Sequence, residues 1–207
     1  MKLSEIRNVL REIRVVPVKT LGQNFLHDQN LARWIVQKAQ LSPTDFVVEI
    51  GPGLGALTEP ALAAGASVLA IEKDGRLVDF LRQRFAGKRL EIVHGDALEF
   101  DVRELFLRGP IKLLGNLPYN IATEILLRFL AAPTPITLAL LMLQREVALR
   151  LSAAPRSKDY GILGLILQSQ YRVDFLRSVP ASVFLPQPEV DSAFIRLTPR
   201  APGELPD

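Results

Sequence analysis

The sequence contains no cysteine and only two histidines, His27 and His94. Without thiols there is no disulfide framework and no thiolate metal site, and two histidines make a histidine-rich centre untenable, so no metal is expected. Long apolar runs are also missing. The longest, Ile136 to Leu143, falls far short of the ~20 residues a bilayer span needs, so no membrane association is expected. The first stretch, Met1 to Arg14, is charged throughout and lacks the apolar centre of a secretory leader. These absences leave a soluble cytoplasmic protein as the expectation. With 207 residues, such a chain can bury roughly 70% of its unfolded surface and needs no covalent staples.

Net charge is small but unevenly placed. The net charge is +3. Residues 1–19 hold Lys2, Arg7, Arg11, Arg14 and Lys19 against Glu5 and Glu12, so the excess sits in an N-terminal arm, residues 1–20. A basic arm on a neutral body suits a phosphate-rich partner. A solvated amphipathic helix fits the same residues equally well, and charge alone does not decide between them.

The body alternates between two periodicities. Asp45 to Ile50, Ser67 to Glu72 and Leu90 to His94 are short, rich in β-branched residues and bounded by turn residues, as buried strands are. Ala56 to Ala64 and Gly75 to Phe85, between them, carry apolar residues at helical spacing. Ile111 to Gly115 reads as a fourth strand followed by a helix at about Ile121–Ala131. Thr137 to Leu143 reads as a fifth, followed by a helix from about Arg145 to Ser152. Such alternation predicts a parallel sheet with helices on both faces. Toward the end, Gln168 to Val179 and Ser192 to Thr198 read as strands with no full helix between them, forming an antiparallel hairpin at the sheet edge. Pro199 to Asp207 reads as a polar tail.

Glu49-Ile-Gly51-Pro-Gly53-Leu-Gly55-Ala56 follows the first strand and opens a helix. Its glycines let backbone approach a ligand closely, and ligands of such sheets bind beyond the carboxyl ends of the strands. Gly51, Gly53 and Ala56 also satisfy the dinucleotide fingerprint, with Glu72 about 20 residues on, where a ribose-binding acid belongs. Two further acids tilt the balance. Glu49 would repel a pyrophosphate but suits a cationic sulfonium with an ammonium group. Asp96, in Gly95-Asp96-Ala97 after the third strand, is placed to accept from an adenine amine, although it equally suits a helix cap. Glu72 and Asp96 together outline an adenosine-shaped pocket and favour S-adenosylmethionine over a nicotinamide cofactor.

Gly115-Asn-Leu-Pro-Tyr-Asn120 is the sharpest feature. The lone pair of an adenine N6 amine is conjugated into the ring, so methylating it requires acceptors that hold both N–H bonds and favour a tetrahedral nitrogen. Asn116 offers a side-chain carbonyl. Leu117 offers its backbone carbonyl, fixed by Pro118, which restricts the residue before it to extended conformations. Tyr119 offers a ring for an extruded base, a stack worth about 1–3 kcal/mol. No strong general base is needed, since the proton can leave after the nitrogen has attacked. Phe184, in the Pro-stiffened loop Phe184-Leu-Pro186-Gln-Pro188-Glu-Val190-Asp191-Ser192, is a second stacking candidate opposite Tyr119. An ordinary core position suits it as well.

At these residues the chain resembles the ribosomal RNA adenine N6-dimethyltransferases of KsgA and Dim type. Leu21-Gly-Gln-Asn-Phe-Leu26, Glu49–Gly55, Glu72-Lys73-Asp74, Gly95-Asp96-Ala97, Asn116–Tyr119 and Phe184–Ser192 follow in the family's order and spacing; Gln144–Val147 and Tyr160-Gly161 are similar too. The resemblance implies a Rossmann-like class I methyltransferase, an α/β fold whose seven-stranded sheet is parallel except for one strand near the edge, over residues 21–199. By the same resemblance Asn24, Leu26, Gly51, Glu72, Asp96 and Asn116 bind S-adenosylmethionine. Gln23, Glu49, Gly53, Gly55, Lys73 and Ala97 complete the expected cofactor set. Asn116, Leu117, Pro118, Tyr119 and Phe184 are the expected catalytic group. The family dimethylates two adjacent adenines near the 3′ end of small-subunit ribosomal RNA in a late pre-ribosomal particle, and a monomer is expected here. Family members continue into a small helical domain, so residues 200–207 are read as a tail or the start of a linker to it. The erythromycin-resistance methyltransferases, which modify one adenine in large-subunit ribosomal RNA, are the alternative within the fold, but Leu21–Leu26, Asn116–Asn120 and Pro186–Ser192 look more like the dimethyltransferases. Outside this enzyme class the rivals are a nicotinamide-dependent oxidoreductase and a non-enzymatic assembly factor.

Overall fold

A computed structural model describes residues 1–17, 22–201 and 203–204. Lys19 of the basic arm and Leu21 of the first motif lie outside these residues. The chain runs α1 (Leu3–Glu12), β1 (Phe25–Leu26), α2 (Gln29–Lys38), β2 (Phe46–Ile50), α3 (Thr58–Ala63), β3 (Ser67–Glu72), α4 (Gly75–Arg84), β4 (Leu90–His94), β5 (Ile111–Asn116), α5 (Ala122–Leu130), β6 (Ile136–Gln144), α6 (Arg145–Leu151), α7 (Ile162–Gln168), β7 (Tyr171–Val179), β8 (Phe184–Leu185) and β9 (Ser192–Pro199).

Seven strands form one sheet in the order β4-β3-β2-β5-β6-β9-β7, and β1 pairs with β8 in a second, two-stranded sheet. Strands β2 to β6 pair in parallel, while β9 runs antiparallel to both β6 and β7. One reversed strand next to the edge is the arrangement expected.

Both faces of the sheet are covered, and successive residues face opposite ways. Val48, Leu113, Leu141 and Ile195 pack on one face with Ile125 and Phe129 of α5 and Ala148 of α6. Val47, Leu114, Leu140 and Phe194 pack on the other with Leu31 and Ile35 of α2 and Ala61 of α3. Each of the Val, Leu, Ile and Phe side chains contributes about 1.5–3 kcal/mol by leaving water, before its ordering entropy is charged. Double coverage explains why these strands read as continuous apolar runs.

The chain crosses from the β4 side to the β5 side of β2, so the strand order reverses between β2 and β5. In open α/β sheets the crevice beyond the strand ends at such a point is the ligand site. Two expected boundaries shift for local reasons. Asp45 stays outside β2 because its carboxylate takes the Ser42 N–H at 2.6 Å and the Lys112 ammonium at 3.0 Å. Gln168 ends helix α7 instead of starting a strand, and its amide donates to the Leu151 and Ala153 carbonyls at 2.8 and 2.9 Å. A helix therefore does precede the edge hairpin, which the sequence reading had not placed. The N-terminal residues form α1, which buries Ile6 and Leu10 against Phe25, Leu54 and Leu77 while Arg7 and Arg11 remain exposed.

Candidate functional site

The glycine turn after β2 is held open by its own backbone. Gly51, Gly53 and Gly55 have φ of +64°, +58° and +85°, a region that side chains with a Cβ avoid. At Gly53 a Cβ would also lie 3.1 Å from the Phe25 ring. The turn is fastened to the end of β3, where Glu72 Oε2 accepts the Gly53 N–H at 3.1 Å and Oε1 accepts that of Asp74 at 3.0 Å. Burial pushes the Glu72 carboxyl above its ordinary pKa, against the pull of these N–H donors.

Asp74 caps α4 by accepting from Arg76 N. It also takes the Arg76 guanidinium at 2.9 Å and the Gln23 amide at 3.3 Å. Despite burial working the other way, Arg76 holds its carboxyl below the usual value. Asp96 accepts the Lys73 ammonium at 2.6 Å and the Leu98 N–H at 2.9 Å. Lys73 is the main cause of a lowered Asp96 pKa, and Asp96 of a raised Lys73 pKa. Asp96 thus closes a turn onto Leu98, while the next helix, Val102–Arg108, is capped by Asp101 instead.

After β5, the Asn116 side-chain N–H donates to the Asn24 backbone carbonyl at 2.9 Å. Among the described residues nothing donates to Asn116 Oδ1 or to the Leu117 carbonyl. Asn24 Nδ2 in turn donates to Gly22 O at 3.2 Å, and Gly22 presses on Pro118, where a Cβ would come within 2.8 Å. The Leu117 N–H donates to Met142 O at 3.1 Å, fixing the peptide to β6. The Tyr119 hydroxyl lies 2.5 Å from the fully buried Ser192 Oγ at the start of β9. Burial, chiefly, raises the Tyr119 pKa.

These pieces enclose a cavity of about 150 Å³ at the switch point. Of the expected cofactor residues, Gln23, Asn24, Gly51, Gly53, Glu72, Lys73, Asp96, Ala97 and Asn116 line it, and Pro118 borders it. Others stand apart. Glu49 and Leu26 line a smaller adjoining hollow together with Asn24, Gly53 and Asn116. Glu49 is 1% exposed and accepts the Thr58 hydroxyl at 2.6 Å; burial raises its pKa to about 7. Gly55 turns against the Phe85 ring. Leu117 and Tyr119 do not line the main cavity. Phe184, 3% exposed, packs with Leu26, Val179 and Phe194 in the core, and its backbone pairs with Leu26. The sequence reading missed the apolar walls: Phe25, Ile50, Ile71, Leu77, Ile121 and Ile125. Lying at strand ends or at the starts of α4 and α5, they carry only a core signal.

Among the described residues, no group of three or more His, Asp or Glu could hold a metal ion, and no helix is long and apolar enough to cross a membrane.

A sheet in this order, with a glycine turn after its first long strand and the cavity at the reversal, defines a class I methyltransferase. The family described as ribosomal RNA adenine dimethylase matches residues 18–206. The chain belongs to that family. It is 48% identical over 182 residues to the ribosomal RNA small subunit methyltransferase A of Prosthecochloris aestuarii, covering 88% of this chain and 69% of the relative. The protein of the same name from Psychrobacter cryohalolentis is 44% identical, with coverage of 94% and 69%. Among solved structures, a dimethyladenosine transferase from Plasmodium falciparum superposes with a TM-score of 0.75 at 28% identity, over 85% of this chain and 63% of that one. The 23S rRNA methyltransferase ErmE gives 0.75 at 33% identity, over 88% and 71%.

Proposed function

We propose that this chain dimethylates the N6 amines of two adjacent adenines near the 3′ end of small-subunit ribosomal RNA, acting as a cytoplasmic monomer on a late pre-ribosomal particle. One observation carries the chemistry: Asn116 lines the cavity with its amide tied back to Asn24, and its Oδ1, like the carbonyl of Leu117 next in sequence, takes no hydrogen bond among the described residues. Two acceptors so fixed match the two N–H bonds of an aromatic amine.

The cavity fits S-adenosylmethionine. The glycine turn lacks the Cβ atoms that would obstruct a ligand, Ile50 and Ile71 form apolar walls, Glu72 and Asp96 are spaced along the groove, and Glu49 lies in the adjoining hollow. Asp96 would hold the adenine amine, Glu72 the ribose hydroxyls, and Glu49 and Asn24 the cationic end. A buried acid such as Glu49 suits a cation, which draws off its proton, better than a pyrophosphate, against which it would have to stay protonated, and this argues against the nicotinamide reading. Bound there, the cofactor supplies a methyl group activated on a sulfonium.

The protein's own contribution is orientation and electrostatics. Asn116 and Leu117 accept the two N–H bonds and direct the nitrogen lone pair towards the cavity. Tyr119, steadied by Ser192, offers its ring to the extruded base. Phe184 sits in the core beside Leu26, with no free face for stacking. Formation of the N6–carbon bond would break the methyl group's bond to sulfur, after which the nitrogen sheds one proton to solvent, and no side-chain base is required. Arg7 and Arg11, exposed on α1, suit the RNA backbone.

The test is transfer of tritiated methyl groups to unmodified small subunits, with the labelled nucleotides mapped. Label on two adjacent adenines near the 3′ end is expected. Label appearing only in large-subunit RNA would reassign the substrate, and none in either would remove the enzymatic reading.

A further inference from the structure

The rim of the cavity carries a hydrogen-bond donor and acceptor locked together. Lys73 follows Glu72 at the end of β3, Asp96 lies two residues beyond β4, and both line the cavity. Lys73 Nζ sits 2.6 Å from Asp96 Oδ2, with side-chain exposures of 57% and 18%. Asp96 Oδ1 is occupied by the Leu98 N–H at 2.9 Å. The carboxylate is therefore anchored on the protein side and carries an ammonium on the other.

A lone acid here would select a purine with a 6-amino group, whose N–H bonds face the carboxylate. It would reject a 6-oxo purine, whose oxygen lone pairs would face the same charge. An ammonium on that oxygen alters the balance. It offsets the negative charge and brings N–H donors of its own. Lysine's flexible stem and three rotatable donors let it serve either base edge.

We propose that Lys73 is a specificity-determining residue that makes this pocket tolerant at the purine 6-position, so that it accepts a 6-oxo base which Asp96 alone would exclude. The proposal rests on reading the cavity as an adenosine site with Asp96 at the base.

The test is calorimetric titration of the full chain and of Lys73→Met with S-adenosylhomocysteine and with its 6-oxo counterpart, S-inosylhomocysteine. Methionine keeps an apolar stem and removes the ammonium, and the site is exposed enough to tolerate it. The quantity read is the ratio of the two dissociation constants. Lys73→Met should widen it by roughly tenfold or more in favour of the 6-amino ligand, the scale of one hydrogen bond to a charged group. A ratio that stays put or narrows, with S-adenosylhomocysteine still bound, overturns the role of Lys73 and leaves the adenosine site standing. No binding of S-adenosylhomocysteine by the unaltered chain overturns both.

Discussion

The side-chain amide of Asn116 donates to the backbone carbonyl of Asn24, 2.9 Å away and 92 residues earlier in the chain. This bond joins the segment before the first helix of the sheet domain to the tetrapeptide after β5, and it leaves the Asn116 carbonyl oxygen pointing away from its tether. Asn116→Ala removes both an acceptor for the reacting amine and a wall of the cavity. Methyl transfer should fall by roughly 100-fold or more, the scale of losing one oriented dipole at a reacting centre. Binding of S-adenosylhomocysteine should weaken much less. Single-turnover transfer alongside calorimetry separates the two effects, and a normal transfer rate would remove Asn116 from the chemistry.

Tyr119 and Ser192 should behave as a unit. Tyr119→Phe and Ser192→Ala each delete the same hydrogen bond, so the double variant should be little worse than either alone, with a coupling of about 1 kcal/mol in transfer. Tyr119→Ala also loses the ring, and RNA binding should fall by a further ~1–3 kcal/mol. Strictly additive effects of the two conservative changes would mean that the hydrogen bond does not position the ring.

Glu49 gives a pH dependence with a definite sign. Its carboxyl is raised from 4.5 to about 7 by burial, so the folded state holds a proton that the unfolded chain has released. Stability should fall as pH climbs through that window and level off above it, by an amount on the order of 3 kcal/mol at most. In Glu49→Gln this part of the slope should vanish. Urea titrations from pH 4 to 8 measure the difference, and parallel curves for the two proteins would count against it. A cationic ligand end beside Glu49 should also expel the proton, so binding near pH 6 should release protons into the buffer.

Gly53→Ala tests the turn. A left-handed φ of +58° and a ring 3.1 Å from the new Cβ should together cost about 1–2 kcal/mol of stability. Because Gly53 also donates to Glu72, cofactor affinity should fall with it. Thermal melting with and without S-adenosylhomocysteine reads both losses, and an unchanged ligand-induced shift would dissociate the turn from the site.

Much of this was readable in residue order because the relevant signals are local. Ser67–Glu72 and Leu90–His94 are strands bounded by their own turn residues, and glycines with positive φ announce a sharp turn wherever they fall. Glu72 ends β3 and Asp96 lies two residues beyond β4, so placing the strands placed the acids. What escaped is non-local. Ile162–Gln168 is apolar almost throughout, with a glycine inside it, and only the close approach of Gly164 to the Arg150 carbonyl explains that residue. Phe184 reads equally as an exposed stacking ring or a core residue until β8 is seen to pair with β1. Glu49 sits next to the glycines in sequence, yet strand alternation turns it to the opposite side of β2 from Ile50, into the adjoining hollow.

The pairing of Phe25–Leu26 with Phe184–Leu185 also sets a schedule for synthesis. One wall of the site leaves the ribosome early, but the strand that fastens it arrives some 160 residues later, on the order of ten seconds or more at ordinary elongation rates. A nascent chain can assemble β2 to β5 while its first motif still lacks its seat. Competence to hold a ligand should therefore appear abruptly, once Phe184 and Leu185 have emerged, and a ribosome-bound fragment halted before Phe184 should fold in part without gaining it.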